Sequence, residues 1–231
     1  MTDFDEASGS PIVGGETPCP TWRDLFRGAV RESLAATNSV ARIGTQDTHA
    51  WEKPIRYVVD DNQGNVAVVE FQPNGVIGAL SVHSSVRLDR LAAFALVPHG
   101  ARDRLAALCD LPLLREGQGV SAIMWSDGEH LQGPERWHYM GRTGMDLLRR
   151  ELMTDLLWAN EGPSHYAITP EVAELAVSAA ARAKVSTPIL RLTDNECGLL
   201  VPKGSAHEEE AIDLLFSDGI FEVGGERALM E

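Results

Sequence analysis

The sequence predicts an α+β fold, in which helices pack on a largely antiparallel β-sheet built from hairpins. This prediction rests on a strand–turn–strand pattern that occurs three times, and on the helical stretch that follows each occurrence. The predicted hairpins cover residues 64–82, 120–131 and 188–201. The helical stretches that follow them cover residues 101–111, 144–160 and 207–216. No G-x-G-x-x-G turn joins a strand to a helix, which argues against a dinucleotide-binding fold.

The chain after residue 20 begins with a well-marked helix. Thr21 and Asp24 have the spacing of a capping pair, in which each side chain accepts a hydrogen bond from the backbone N–H of the other residue. Apolar side chains recur at helical spacing, at Trp22, Leu25, Phe26, Ala29, Val30 and Leu34. The pattern predicts that one face of this helix is buried.

Three strands joined by tight turns are predicted next, over residues 55–59, 66–71 and 76–82. The segments between these strands are rich in Asp, Asn, Gly and Pro, which tolerate the backbone angles of turns. Such a succession predicts an antiparallel meander. Residues 87–97 fit a helix or a strand, whereas leucines at helical spacing over residues 102–111 predict a helix.

The strongest helical pattern lies in the middle of the chain, after a hairpin that turns at residues 126–128. Thr143 and Asp146 have the spacing of a capping pair. An apolar stripe accompanies them, at Met145, Leu148, Leu152, Leu156 and Ala159. Together these features predict one helix over residues 144–160.

The C-terminal third is predicted to contain two helices, a hairpin and a further strand. A helix is predicted after Thr169, because Pro170 suits the first helical turn. The third hairpin is predicted to pair residues 189–192 with residues 198–201 across a turn at residues 194–196. A final helix follows, and residues 220–223 are predicted to add an edge strand to the predicted β-sheet.

The chain is predicted to consist of a tail and one domain. Residues 1–20 are rich in Gly, Pro, Ser and acidic side chains, which predicts a flexible acidic tail. Residues 21–231 are predicted to form a single α+β domain. An alternative divides this domain near residues 116–119, where Gly and polar residues cluster. The three cysteines have no paired spacing, which argues against a disulfide framework and against a thiolate zinc site.

The net charge of −14 lies mainly at the two ends of the chain. Residues 1–16 carry four acids and no base, and residues 194–231 carry ten acids and two bases. The lack of clustered Lys and Arg argues against nucleic acid as a direct ligand. No apolar run is long enough to span a membrane, and no signal segment opens the chain. A cytoplasmic protein is therefore expected.

The leading functional hypothesis is a non-enzymatic protein-binding module, for example an inhibitor or immunity-type protein, that docks a basic partner on an acidic surface. Opposite charges on two proteins speed their encounter. The predicted partner-binding residues are Glu196, Glu208, Glu209, Glu210, Asp213, Asp218 and Trp137. Trp137 is included because an aromatic residue in a polar stretch is typical of an interface. No cofactor is expected, and solubility alone is the simpler explanation of the charge.

Two other functions stay open. The first is a metal-assisted hydrolase, in which His130 or His138 acts together with Glu129 or Glu135. The second is a structural subunit of a larger assembly, in which the apolar stripe over residues 145–159 packs against another chain. The sequence contains no complete catalytic motif, so the protein-binding hypothesis is preferred.

Overall fold

An antiparallel sheet of six strands forms the centre of the protein, with helices on both of its faces. The computed structural model describes residues 20–44, 48–53, 55–83, 85, 87–116, 119–133, 145–185, 190–216 and 220–224. The predicted α+β class and the largely antiparallel sheet are confirmed. Except for Pro20, the predicted N-terminal tail lies outside the described residues.

The strands of this sheet follow one another along the chain. They are β1 (Thr48–Glu52), β2 (Arg56–Asp60), β3 (Val66–Gln72), β4 (Gly75–Ser81), β5 (Ala122–Asp127) and β6 (His130–Gln132). Each strand pairs antiparallel with the next, so that the sheet is a meander. Gln72 pairs with Gly75, which leaves only Pro73 and Asn74 in the loop between β3 and β4. The first two predicted hairpins are therefore confirmed, whereas β1 was not predicted.

Helices surround the sheet and alternate with short connections. The α-helices in the described part of the chain are α1 (Trp22–Ile43), α2 (Arg90–Leu96), α3 (His99–Cys109), α4 (Pro112–Glu116), α5 (Asp155–Tyr166), α6 (Pro170–Arg182), α7 (Asp194–Leu200) and α8 (Glu208–Phe216). A 3₁₀ turn covers Met145–Leu148. Two short strands, β7 (Leu190–Leu192) and β8 (Phe221–Val223), pair in parallel and form a second sheet.

The two faces of the large sheet carry separate hydrophobic cores. On β2, Tyr57 and Val59 belong to one core and Val58 belongs to the other, because successive strand residues point to opposite faces. The first core is covered by α1 and by α5 to α8, and the second core is covered by α2 to α4. Since both faces are covered, β3 is buried at six of its seven positions.

The central helix α1 is buried on most of its surface. The predicted capping pair is present, with the Thr21 N–H donating to the Asp24 carboxylate at 3.1 Å and the Asp24 N–H donating to the Thr21 hydroxyl at 3.1 Å. One side of α1 packs on the sheet, where Phe26 contacts Trp51 and Phe71 edge-on. The other side packs against α5, α6, α7 and α8. Polar residues of α1 are therefore buried as well, namely Arg31, Glu32, Ser33, Thr37 and Asn38.

The third predicted hairpin is wrong. Residues 194–196 form the first turn of α7 instead of a β-turn, and residues 198–201 lie at the end of that helix instead of in a strand. A capping box starts the helix, since the Glu196 N–H donates to the Thr193 hydroxyl at 3.2 Å and the Thr193 N–H donates to the Glu196 carboxylate at 2.7 Å. The strand over residues 220–223 exists, but it pairs with β7 and not with the edge of the large sheet.

The long helix predicted over residues 144–160 is also wrong. The chain forms a 3₁₀ turn, an irregular segment at residues 149–153, and then α5. The Thr154 hydroxyl accepts a hydrogen bond from the Leu157 N–H and so caps a new helix. The predicted apolar stripe is interrupted, because Leu148 is buried whereas Leu156 is 77% exposed. The predicted cap, Thr143, lies outside the described residues.

The alternative domain boundary falls between two strands of the large sheet. Residues 117 and 118 lie outside the described residues, and β4 and β5, on either side of them, pair with each other. The interpretation as a single domain stays a prediction. Among the helices that the structure describes, none combines the length and the apolar character needed to cross a membrane.

Close contact between α1 and the irregular segment generates the first testable prediction. A Cβ added to Gly28 would lie 2.6 Å from the Cα of Glu151, and closer still to its carbonyl group. Because backbone cannot yield as a flexible side chain does, Gly28→Ala should destabilise the protein by about 3 kcal/mol. Chemical denaturation followed by circular dichroism measures this loss.

The matched control is Gly198→Ala in α7, where an added Cβ meets no atom within 4 Å. This substitution should be neutral or should stabilise the protein by up to about 1 kcal/mol, because alanine favours helices. Equal effects of the two substitutions would contradict the close packing of α1 against residues 149–153.

Candidate functional site

Two residues of the predicted acidic surface are held by contacts within the chain. Glu196 accepts hydrogen bonds from the Thr193 N–H at 2.7 Å and from Arg182 at 2.5 Å. Burial works against ionisation of Glu196, but the hydrogen bonds from Thr193 and the charge of Arg182 lower its pKa. The Glu208 carboxylate accepts a hydrogen bond from the Gly204 N–H at 2.6 Å. Glu196 therefore stabilises the start of α7, and Glu208 stabilises the turn that leads into α8.

Other acids of α8 lie on its outer side. Ala211 and Leu215 are buried on the inner side of this helix. Glu209 and Asp213 lie on the opposite side, because four residues make slightly more than one helical turn. Their side chains are exposed, and they form no ion pair with any residue that the structure describes. Ile212 lies beside them and is 40% exposed.

Glu210 lies at the margin of the same surface, with its carboxylate 3.4 Å from Nδ1 of His207. Glu209, Glu210, Ile212 and Asp213 are referred to below as the α8 face. The remaining predicted partner-binding residues, Trp137 and Asp218, lie outside the described residues. The structure therefore brings three of the seven predicted residues together on an exposed surface.

The residues of the alternative hydrolase site are only partly described. His138 and Glu135 lie outside the described residues. His130 is exposed on β6, and the carboxylate of the adjacent Glu129 pairs with Arg23 at 2.8 Å. Within the ranges that the structure covers, no three His, Cys, Asp or Glu side chains form a group that could hold a metal ion.

A cluster of polar and charged side chains is buried in the first hydrophobic core, and the sequence patterns did not predict it. The cluster joins α1, β1, β2, the irregular segment at residues 149–153, and α5. Its members, referred to as the buried cluster, are Arg31, Glu32, His49, Tyr57, Arg150, Glu151, Trp158 and Tyr166. Each member except Arg150 is at most 5% exposed.

Five members of the buried cluster are joined end to end. Oε1 of Glu151 lies 2.8 Å from the hydroxyl oxygen of Tyr57, which lies 2.6 Å from Nδ1 of His49. Nε2 of His49 lies 3.0 Å from the hydroxyl oxygen of Tyr166, which lies 2.6 Å from Oε2 of Glu32. Hydrogen-bonding contacts therefore run without interruption from the irregular segment to α1.

The Glu32 end of this chain is rich in hydrogen-bond donors. Nε of Arg150 donates to the Glu32 carboxylate at 3.2 Å, and Nε1 of Trp158 donates to its other oxygen. Nε of Arg31 lies 4.0 Å from Oε1 of Glu32. Burial raises the pKa of Glu32, and the Tyr166 hydrogen bond and the charges of Arg150 and Arg31 oppose that rise. A carboxylate is tolerated inside a protein only with such partners.

Arg31 on α1 forms hydrogen bonds that hold the irregular segment against this helix. Its guanidinium group donates to the carbonyl oxygen of Arg150 at 2.8 Å and to that of Met153 at 3.2 Å. It also donates to the Asp155 carboxylate at 2.6 Å. The several fixed donors of a guanidinium group suit this task, which a lysine could not perform in the same way.

Four members besides Glu32 have pKa shifts that favour their uncharged forms. Burial, followed by the negative charge of Glu32, raises the pKa of Glu151 to about 8. Burial, followed by the positive charge of Arg150, lowers the pKa of His49 to about 3. Burial and neighbouring carboxylates raise the pKa of Tyr57 and of Tyr166 well above the ordinary value.

The sequence contains little that would have revealed the buried cluster. His49 and Tyr57 lie on neighbouring strands, whereas Glu151 lies in a segment whose pattern predicts a helix. The available signal was the adjacent pair Arg31 and Glu32, which interrupts a mostly apolar stretch of α1. Charged residues are seldom buried without partners, so this pair could have indicated a partner elsewhere in the chain.

A shallow cleft of about 440 Å³ lies between α2 and α3, on the opposite face of the sheet. It is lined by Arg90, Leu91, Phe94, Ala95, Arg102 and Ala106. Arg90 pairs with Asp110 at 3.2 Å, and Arg102 donates to the carbonyl oxygen of Val97 at 2.7 Å. Both arginines are thus engaged within the chain, and the cleft indicates no particular ligand.

Comparison of the chain with protein-family models, with curated proteins and with solved structures finds no match. Two features of the described structure are candidates for a function. They are the α8 face, which is exposed and acidic, and the buried cluster, which lies in the interior and whose Glu151 end is fully buried.

Substitution of Glu32 tests the energetic importance of the buried cluster. Glu32→Gln removes the buried negative charge that faces Arg150 and Arg31, and Arg31 then keeps the Asp155 carboxylate as its acidic partner. The expected loss is about 3–5 kcal/mol of unfolding free energy, as for other broken buried ion pairs. Denaturant unfolding measures it.

The control for this experiment is Glu129→Gln, because Glu129 and Arg23 form an ion pair with both side chains more than half exposed. Exposed pairs contribute little to stability, so this control should unfold like the wild type. A Glu32→Gln protein as stable as the control would show that Glu32 is not an essential partner.

The stability of the protein should also depend on pH through His49 and Glu151. The pKa of Glu151 rises from 4.5 to about 8 on folding, so its contribution to stability is lost as pH rises from 4.5 towards 8. The pKa of His49 falls from 6.5 to about 3, so its contribution is lost as pH falls from 6.5 towards 3. Between 4.5 and 6.5 the two slopes have opposite signs and cancel.

The measurement is denaturant unfolding over this pH range. Glu151→Gln should abolish the loss of stability at alkaline pH. The exposed control Glu52→Gln should show the same dependence of stability on pH as the wild type. If Glu151→Gln loses as much stability at alkaline pH as the wild type does, another titratable group must cause that loss.

Proposed function

We propose that the protein is a binding protein that docks a partner with a basic surface on the α8 face. The exposure of Glu209 and Asp213 on the outer side of a helix, whose inner side packs on α1, supports this proposal most directly. Exposed carboxylates that lack a cation in the described chain add little to its stability. They do attract an oppositely charged partner and speed its encounter.

Ile212 supplies an apolar contact within this acidic surface. Its side chain is 40% exposed, and it is flanked by Glu209 and Asp213 at helical spacing. Interfaces commonly combine an apolar centre with a polar rim. The partner that suits the α8 face therefore carries Lys or Arg side chains around a small apolar depression.

The contacts of Glu196 and Glu208 support a structural role for both residues, and we omit them from the proposed docking residues. Glu196 completes the capping box of α7 and pairs with Arg182, and Glu208 binds the Gly204 N–H. In one form of this proposal, the protein is an inhibitor or immunity-type protein that covers the basic surface of another protein.

Charge reversal on the α8 face tests the proposed function. The double substitution Glu209→Lys and Asp213→Lys turns attraction of a basic partner into repulsion. The expected result is a loss of affinity of about tenfold or more at low salt, mainly through slower association. The loss should shrink as salt is added, because the screening length is about 10 Å at 0.1 M ionic strength.

The measurement has two steps. Proteins are captured from native lysate on immobilised wild-type chain, and the dissociation constant of each captured protein is then determined at two salt concentrations. Ile212→Ala serves as a third variant, and it should weaken binding without changing the salt dependence.

The matched control is Asp103→Lys with Glu174→Lys, which changes the charge equally on exposed residues of α3 and α6. This control should bind like the wild type, and all variants should retain the wild-type denaturation midpoint. Equal loss of binding in the control and the α8 variant would refute docking on the α8 face. Binding that is indifferent to salt would refute the basic partner.

A further inference from the structure

We propose that the buried cluster stores one proton at the Glu151 end of its hydrogen-bond chain, and that removal of this proton loosens the joint between residues 149–153 and α1. The chain has four links, which run from Glu151 through Tyr57, His49 and Tyr166 to Glu32 at separations of 2.6 to 3.0 Å. Each link requires one hydrogen between its two heavy atoms. The complete chain therefore requires four hydrogens.

The supply of hydrogens limits how the chain can be arranged. The two tyrosine hydroxyls and a neutral imidazole contribute three hydrogens. The fourth hydrogen resides on Glu151, on His49 as its second N–H, or on Glu32. All three arrangements contain the same number of protons, and they differ only in where the negative and positive charges lie.

The surroundings of the two carboxyl groups decide among these arrangements. Glu32 receives hydrogen bonds from Arg150 and Trp158 in addition to Tyr166, so negative charge is stabilised there. Oε2 of Glu151 is buried, and it has no hydrogen-bond partner among the residues that the structure describes. Ionisation of Glu151 would place charge where its other oxygen has no donor, at a high desolvation cost.

With the fourth hydrogen on Glu151, all four hydrogen bonds point the same way along the chain, from Glu151 towards Glu32. The Glu151 carboxyl group donates to the Tyr57 hydroxyl, and Tyr57 donates to Nδ1 of His49. Nε2–H of His49 donates to the Tyr166 hydroxyl, and Tyr166 donates to the Glu32 carboxylate. His49 is a neutral imidazole with its hydrogen on Nε2, a tautomer that the opposite direction would not allow.

Loss of the stored proton has a specific consequence. Three hydrogens remain for four links, so one pair of heavy atoms at 3.0 Å or less must face each other with lone pairs only. A second negative charge also appears near Glu32, while Arg31 is already paired with Asp155. The Tyr57 hydroxyl can turn to donate to the ionised Glu151, so the link between these two residues can persist. The new repulsion acts between Glu151 in the irregular segment and Glu32 on α1, and the joint between residues 149–153 and α1 is therefore the part that loosens.

The titratable and charged groups around Glu151 come from every element packed against it. They are Arg31 and Glu32 on α1, His49 on β1, Tyr57 on β2, Arg150 in the same segment, and Asp155, His165 and Tyr166 on α5. Burial shifts the pKa of Glu151, His49 and Glu32 towards their neutral forms, and at Glu32 the Tyr166 hydrogen bond, the charges of Arg150 and Arg31 and the Trp158 hydrogen bond oppose that shift.

The tautomer of His49 tests the direction of the chain in the wild-type protein, without any substitution. Nitrogen NMR of chain labelled with ¹⁵N at histidine distinguishes the two neutral tautomers and the imidazolium ion. At neutral pH, the expected result is a neutral His49 with its hydrogen on Nε2. A hydrogen on Nδ1, or on both nitrogens, would overturn the proposal.

Infrared difference spectroscopy tests the location of the stored proton. The wild-type protein should show the C=O stretching band of a protonated carboxylic acid at neutral pH, and this band should disappear with a midpoint near pH 8. Glu151→Gln should lack the band, and the exposed control Glu52→Gln should retain it. Absence of the band from the wild type would overturn the proposal.

Amide hydrogen exchange tests the loosening. The side-chain amide that Glu151→Gln introduces supplies a hydrogen and cannot ionise, so this variant should keep the joint closed at alkaline pH. Once corrected for intrinsic rates, exchange at residues 149–153 should rise above pH 8 in the wild type alone. The same pH response in both proteins would refute the loosening, and it would leave binding on the α8 face untouched.

Discussion

The carboxylate of Glu32, buried in the middle of α1, imposes conditions on distant parts of the chain. It is stable inside the protein only if donors reach it, and those donors come from Arg150, Trp158 and Tyr166, at least 118 residues away in sequence. The irregular segment at residues 149–153 supplies one of these donors, Arg150, and two of its carbonyl groups accept hydrogen bonds from Arg31. α5, which Thr154 caps, supplies the other two donors, Trp158 and Tyr166.

The same helix connects the interior of the protein with its proposed docking surface. α1 carries Glu32 among its buried polar residues, and α8 also packs on it. The buried cluster and the α8 face differ in their surroundings: every member of the first except Arg150 is buried, whereas the acids of the second are exposed. The proposed proton store and the proposed docking surface therefore depend on separate residues, and each can be altered without removing the other.

Local signals predicted the parts of the fold whose stabilising contacts are close in sequence. The capping pair at Thr21, the Thr169–Pro170 helix start and the turn at residues 72–75 each depend on a few adjacent residues, and each was predicted correctly. The third hairpin was mispredicted because residues 194–196 resemble a turn, whereas the capping box with Thr193 starts a helix there. Among the predicted site residues, Glu209, Glu210 and Asp213 are exposed on α8, whereas the contact of Glu196 with Arg182 depends on a second helix and was not predicted.

The amino-acid sequence was enough to predict the α+β class, the antiparallel meander and the helices α1, α3, α6 and α8, because hydrophobic period, turn residues and caps act over short distances. Folding in three dimensions decided three further matters: the break after Leu148, the parallel pairing of β7 with β8, and the buried cluster. These features arise where side chains from several elements satisfy one another in the interior. A pattern read along a single chain cannot reveal them, since burial and hydrogen bonding depend on neighbours that are remote in sequence.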